Sequence, residues 1–152
     1  MLKASLMKRD GWRGDTIYEV TEENGAAAGT INETRNTIEL DGQSYTIKRK
    51  GFLSPEAELR LGDTIVAAAK QKPLFNHYKL AHNGKEWDFK AISLLVNQFG
   101  LYEGERQVGT VSLGDLAHRF KDITIDLPPE LPREVQVFLL ALAIHAWSQQ
   151  SS

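Results

Sequence analysis

The chain has 152 residues, of which 41% are hydrophobic and 25% are charged, and its formal net charge is −2. This length is typical of one domain built around one core, and we interpret residues 1–152 as a single domain. The balance of charges argues against a dedicated nucleic-acid binder, which usually carries a basic excess. The sequence contains no cysteine, which excludes disulfides, thiol nucleophiles and thiolate metal centres.

Neither end of the chain carries a pattern typical of secretion or membrane insertion. The first ten residues include Lys3, Lys8 and Arg9, where a signal peptide would need an unbroken apolar stretch. The apolar run over residues 135–147 is shorter than the roughly 20 residues that a spanning helix needs. We therefore predict a soluble, cytoplasmic protein without a transmembrane segment.

Alternation of polar and apolar side chains predicts short strands throughout residues 2–127. The clearest strands lie around residues 38–40, 45–47, 87–91 and 123–127, and weaker ones over 2–8, 16–20, 28–32, 64–69, 74–81, 99–103 and 106–113. Asn24-Gly25, Asp41-Gly42 and Asn83-Gly84 are typical of type I′ hairpin turns. About eleven or twelve short antiparallel strands predict a barrel or a sandwich.

For three segments, the sequence pattern does not decide between types of secondary structure. Residues 91–98 and 114–120 fit either a strand or a short helical turn, since periodicity does not separate them. Ser54-Pro55-Glu56 resembles the start of a helical turn with proline at its first position. Four acids of the chain are interpreted as solvated loop charges, namely Glu56, Glu58, Glu103 and Glu105.

A helix over about residues 132–150 is the most informative prediction. It is apolar on every face, and such a helix must be surrounded by other parts of the protein. A barrel of about twelve strands is too wide for wall side chains to fill alone, so a central helix would complete its core. We predict a mainly β fold, an antiparallel barrel enclosing its C-terminal helix, with Gln136 and His145 near the helix ends. A two-layer sandwich with the helix wedged between its sheets is the alternative.

The pattern of many short strands followed by an apolar C-terminal helix resembles the tubby C-terminal-like superfamily, which includes the LURP-one-related proteins and the phospholipid scramblases. The motifs that carry the resemblance are Gly29-Thr30-Ile31, Tyr45-Thr46-Ile47, Leu74-Phe75-Asn76-His77-Tyr78 and Arg106-Gln107-Val108-Gly109-Thr110. The resemblance implies a twelve-stranded barrel around a buried helix. It also implies an association with membranes or phosphoinositides, which some members show.

A search for catalytic and metal-binding patterns identifies no site. The histidines His77, His82, His118 and His145 lack the local ligand spacing of metal sites. Ser112 lacks the flanking glycines of a nucleophile elbow. Glu130 and Glu134 are interpreted as partners of a helix N-terminus rather than as a catalytic pair. We therefore predict no catalytic, cofactor-binding or metal-binding residues and favour a non-enzymatic protein.

Basic residues provide the one functional indication. Lys48, Arg49 and Lys50 close one predicted strand, and Lys70 and Lys72 precede Pro73. If these segments meet at one end of the barrel, their charges would attract anionic lipid headgroups. Surface charges that only keep an edge soluble are the alternative. We predict a binding or interaction module for an anionic membrane surface or a protein partner. The alternative is a small-molecule-binding or enzymatic barrel with a site at its rim.

Overall fold

The computed structural model describes residues 1–9, 14–51, 55–72, 76–93, 97–114 and 122–150. Within these residues, twelve strands precede a single helix, α1 (Arg133–Gln150). The strands, in chain order, are β1 (Leu2–Arg9), β2 (Thr16–Glu22), β3 (Ala27–Asn32), β4 (Thr37–Leu40), β5 (Gln43–Lys50), β6 (Glu56–Leu61), β7 (Thr64–Gln71), β8 (His77–His82), β9 (Lys85–Ser93), β10 (Gln98–Glu103), β11 (Arg106–Ser112) and β12 (Ile123–Asp126).

Each strand pairs antiparallel with its neighbour in sequence, and the first strand closes the sheet against the last. The closing register places Leu2 opposite Ile125 and Ala4 opposite Ile123. Among the described strands, closure leaves no continuous unpaired edge of the kind that invites association between sheets. The predicted antiparallel barrel is therefore confirmed, and the sandwich alternative is wrong.

The two ends of the barrel differ in how their strands are connected. One end, which we call the turn end, holds the short turns Asn24-Gly25, Asp41-Gly42, Gly62-Asp63, Asn83-Gly84 and Gly104-Glu105. At the other end, which we call the loop end, β1, β3, β5, β7, β9 and β11 finish, and the stretches of sequence that connect them to the next strands are mostly longer. The helix begins at the turn end, where Arg133 contacts Glu22 at 2.7 Å, and finishes at the loop end. Longer loops carried on a rigid scaffold are the usual place for binding residues.

The helix occupies the centre of the barrel, as its sequence predicts. Val135 and the run from Val137 to Leu140 are fully buried, and aromatic side chains of the wall such as Phe89 and Phe99 stack at 5.1 Å in the same core. Gln136 is buried in the first turn, and its amide donates a 2.8 Å hydrogen bond to the carbonyl of Leu131. No helix of the described residues has the length and hydropathy to cross a bilayer.

Some local predictions need correction. Residues 55–61 do not form a helical turn, since Glu56–Leu61 is strand β6, which the sequence analysis missed. Residues 91–93 continue β9, and the helical alternative for 94–96 lies outside the described residues. The segment 115–121, with His118, also lies outside them, as do Ser54, Leu74 and Phe75.

Candidate functional site

The predicted basic segments do converge, because β5 and β7 both finish at the loop end with β6 between them. Lys50 lies opposite Glu56 in register, and Glu56 in turn lies opposite Lys70. Their side chains, however, do not share one surface. Lys48, Lys70 and Lys72 are exposed on the outside, whereas Arg49 follows the inward row of its strand.

On the outer wall, Glu58 neutralises part of this positive charge. Lys50 Nζ lies 3.0 Å from one carboxylate oxygen of Glu58, and Arg60 Nη2 lies 2.6 Å from the other. Hydrogen bonds from Arg60, and then from Lys50, hold the pKa of Glu58 below its ordinary value. The side chain of Glu58 is only 5% exposed, so its interpretation as a solvated loop charge is wrong.

Inside the barrel, the apolar rows of several strands finish in polar residues at the loop end. Arg49 continues the row of Tyr45 and Ile47, and Gln71 continues the row of Ala67 and Ala69. Glu33 and Asn36 extend the inward rows of β3 and β4 in the same way. Polar side chains in or next to these four strands therefore lie together at one side of the loop end.

A cavity of about 390 Å³ opens between these polar residues and the end of the helix. Its lining residues come from β5 to β8 and from α1, namely Arg49, Lys50, Gly51, Pro55, Glu56, Ala57, Gln71, Tyr78 and His145. The volume falls within the range of about 300–1,000 Å³ that is typical of small-ligand sites. We call this cavity the loop-end pocket.

Arg49 is the dominant charge of the loop-end pocket. Its Nε donates a 3.4 Å hydrogen bond to Oδ1 of Asn36. Burial lowers the pKa of the guanidinium, while Tyr78 and Glu33 act in the opposite direction. Among the described residues, no carboxylate forms an ion pair with Arg49. A guanidinium stays charged in proteins, so this cation is partly buried without a direct counter-ion.

Tyr78 and His145 add two further polar groups to the pocket. Burial raises the pKa of the Tyr78 hydroxyl, so it keeps its proton and can donate a hydrogen bond. Burial, and secondarily the charge of Arg49, lowers the pKa of His145 to about 4. Within the described part of the chain, neither the Tyr78 hydroxyl nor the His145 ring has a hydrogen-bond partner. Both groups are therefore available to a ligand.

Two features near the loop-end pocket, the end of α1 and the acid Glu33, limit which groups could bind an anion. The final carbonyls of a helix carry partial negative charge, so α1 itself does not attract an anion at this end. Glu33 is the nearby acid that bears on Arg49, and its Oε1 accepts a 3.0 Å hydrogen bond from Ser148 on the helix. An anion in this pocket would therefore depend on side-chain donors, with Arg49 first among them.

The remaining residues considered from the sequence lie apart from the pocket. His77 contacts Asp88 at 2.7 Å on the outer wall, and His82 contacts the carbonyl of Val66 at 3.0 Å. Ser112 ends β11, opposite Thr124 in register. The described residues contain no group of three or more potential ligands that could hold a metal ion.

The acids considered from the sequence also lie away from the pocket, with one exception. Glu130 is near the turn end, 3.5 Å from Lys85, and Glu103 contacts the same lysine at 3.0 Å. Glu105 lies in the adjoining exposed turn, and Glu134 lies in the first turn of α1. Glu56 is the exception, because it lines the loop-end pocket.

Arg49 is among the basic residues predicted from the sequence to meet at this end, whereas Tyr78 and His145 were not predicted to join it. The sequence does indicate which face of the strand Arg49 lies on, because alternation from Tyr45 and Ile47 places it on the inner face. No local pattern connects residues 49, 78 and 145, which only the closed barrel brings together.

Comparison with protein-family models, with curated proteins and with solved structures finds no match to this chain. The likeness to the tubby C-terminal-like superfamily therefore remains a prediction from the sequence.

Proposed function

We propose that this protein is a binding module that takes an anionic, phosphate-type group into the loop-end pocket, in the setting of an anionic membrane surface. The observation that carries the proposal is Arg49, a partly buried cation that faces an open cavity without a carboxylate partner among the described residues. A bound anion would supply that missing counter-charge. Guanidinium groups suit phosphate because they present paired N–H donors in a planar fork.

The other pocket residues support the same chemistry. The Tyr78 hydroxyl offers a second donor from the neighbouring wall, and its own hydrogen bond is otherwise unmade within the described chain. Burial strengthens such interactions because water competes less for the donors. Glu56 lines the pocket as well, and its carboxylate would repel an anion. The anion would therefore bind on the side of Arg49 and Tyr78, away from Glu56.

Exposed lysines around the pocket favour a membrane-bound source of the anion. Lys48 and Lys70 are exposed on strands that finish at the loop end, and Lys72 is exposed directly after β7. Each basic residue near an anionic leaflet adds about 1 kcal/mol of attraction, which falls off with salt. These lysines would orient the loop end toward the lipid headgroups while Arg49 binds one of them.

The test is co-flotation with phosphatidylcholine vesicles, with and without anionic lipid, across a salt series. Arg49→Met removes the buried charge but keeps an apolar stem, and Lys48→Met on the same strand is the matched outward-facing control. We expect Arg49→Met to weaken binding to anionic vesicles about 10- to 100-fold, as for loss of a charge-assisted hydrogen bond. Lys48→Met should weaken it about fivefold.

Inorganic phosphate separates the two sources of the anion. Its binding, measured by calorimetry, should be lost in Arg49→Met and unchanged in Lys48→Met, because Lys48 lies outside the pocket. Phosphate binding without vesicle binding would identify a soluble ligand and contradict the membrane setting. Unaltered vesicle and phosphate binding by folded Arg49→Met would contradict the proposed site.

A further inference from the structure

We propose that His145 is a proton-dependent donor of the loop-end pocket, beside Arg49 and Tyr78, so that the protein takes up one proton with its anion and binds that anion more tightly as the pH falls. This inference rests on the proposed function and deepens it. It assigns to the helix a role beyond filling the barrel, because α1 carries the residue that completes the site.

The placement of His145 supports this role. Of the described residues of α1, His145 is the one that lines the pocket. It is partly exposed, whereas its neighbours Ile144 and Ala146 are buried in the core. The cavity that it faces is the one that Arg49 and Tyr78 also face, and its ring makes no hydrogen bond to another described residue. The imidazole is therefore placed to form a hydrogen bond with a ligand in this cavity.

The charges around His145 explain why the ring is neutral in the free protein. Arg49 from β5 faces it as a cation, and Tyr78 from β8 faces it as a neutral phenol. Lys50 and Glu56 lie at the edge of the cavity with opposite charges. Glu33, from the connection between β3 and β4, is engaged by Ser148 one turn along the helix. Burial and the charge of Arg49 therefore decide the protonation state, and the pKa of the free ring is about 4.

A bound anion reverses this local field. It compensates the charge of Arg49 and adds a negative charge within reach of the imidazole, and such a contact raises a neighbouring pKa by about 1–3. Protonated histidine has two N–H donors, whereas the neutral ring has one. By linkage, a ligand that raises the pKa of His145 must bind more tightly once the pH falls below the pKa of the complex.

Sulfate is the appropriate probe, since its charge is constant over the range of interest, whereas a phosphate monoester itself gains a proton near pH 6. Its affinity is measured by calorimetry between pH 7.5 and pH 5 at constant ionic strength, in wild type, His145→Gln and His82→Gln. Glutamine keeps a donor but does not titrate. His82, at the far end of β8 and bonded to the carbonyl of Val66, is the matched control.

We expect sulfate affinity in wild type and His82→Gln to rise about tenfold over this range, the rise expected if the pKa of His145 moves from about 4 to about 6. His145→Gln should bind sulfate with less than about a twofold change. In NMR titrations, saturating sulfate should raise the pKa of the His145 ring correspondingly.

The outcomes distinguish the two proposals. Sulfate binding with the same pH dependence in His145→Gln as in wild type would overturn the role of His145 and leave the anion site intact. An unchanged His145 pKa in the presence of bound sulfate would do the same. Failure of wild type to bind sulfate or phosphate at any pH would overturn the proposed function itself.

Discussion

Arg49 shows how one residue acquires a role that its neighbours lack. Lys48 and Arg49 are adjacent basic residues, yet strand alternation directs the first to solvent and the second toward the helix. Inside the barrel, Arg49 influences both Tyr78 and His145, whose protonation states depend on burial and on its charge. Residue type alone therefore does not show that Lys48 is a solvent-exposed charge and Arg49 a pocket residue. Strand alternation does indicate it, because it places the two side chains on opposite faces of β5.

His145 predicts a specific dependence of stability on acid. Its pKa in the folded protein, about 4, lies below the ordinary value of 6.5, so the unfolded chain takes up this proton first as the pH falls. The contribution of neutral His145 to the free energy of unfolding is therefore fully present above about pH 6.5. It is lost progressively as the pH falls toward 4. The full shift corresponds to about 3 kcal/mol, and screening of the partly exposed ring reduces this to about 1–2 kcal/mol.

Urea unfolding at pH 7 and pH 4.5 tests this expectation without added anion. The free energy of unfolding should fall by about 1–2 kcal/mol more in wild type than in His145→Gln, because glutamine does not titrate. Comparison of the two proteins removes the contribution of the carboxylates, which they share. Equal losses in both proteins would contradict a depressed His145 pKa.

Among the elements, β6 is the strand that sequence analysis missed, and its chemistry explains why. Its inward residues Ala57 and Leu59 alternate with Glu58 and Arg60, but the segment is short and rich in residues with low strand propensity. What makes it a strand is pairing with β5 and β7 on either side. The ion pairs of Glu58 with Lys50 and Arg60 then offset the free-energy cost of burying its carboxylate.

Gly29 in β3 and Gly42 in the turn between β4 and β5 should lose different amounts of stability when replaced by alanine. Gly42 has φ of +80° in the Asp41-Gly42 turn, and an added Cβ would meet open space. Gly42→Ala should cost about 1–2 kcal/mol from backbone strain alone. At Gly29, an added Cβ would clash with the backbone carbonyl of Glu39 on the paired strand.

Gly29→Ala should therefore cost about 3 kcal/mol or more, because β3 and β4 must separate. Denaturant unfolding measures both losses, and hydrogen exchange should localise the second to the β3–β4 amides. Equal losses for the two variants would contradict the close approach of these strands. The sequence indicates the turn at Gly42 directly, whereas the crowding at Gly29 depends on the register of its partner strand.

At the scale of the molecule, barrel and helix depend on one another. In the described part of the chain, α1 covers the apolar inner surface of the wall, and residues 135–144 of the helix are buried on all faces. Neither part has another partner for this surface within the described chain. We therefore expect the protein to unfold as one cooperative unit, with its strands and its helix lost together.

Leu140→Asp tests this dependence, with Leu61→Asp as the matched control. Leu140 is fully buried in the helix, whereas Leu61 is 37% exposed at the turn end. A carboxylate at position 140 would be buried without a partner, and its cost of several kcal/mol approaches the total stability of a typical domain. We expect that variant to lose cooperative melting by circular dichroism, while Leu61→Asp changes stability by no more than about 1 kcal/mol.

Leu140→Ala provides a folded intermediate case, with an expected loss of about 2–5 kcal/mol. Its strand and helix signals should still melt together. A soluble, cooperatively melting Leu140→Asp protein would contradict the central position of the helix.

The sequence by itself determined the architecture of this protein, because the relevant signals are local. Alternation identifies most strands, Asn-Gly and Asp-Gly identify the tight turns, and a helix without a polar face must be enclosed. The pocket was decided by tertiary structure alone. Arg49, Tyr78 and His145 lie far apart in the chain, and their meeting depends on how the strands register around the barrel and on where the helix ends. Burial in that assembled environment sets the protonation states of Tyr78 and His145, and Arg49 has no carboxylate partner there among the described residues.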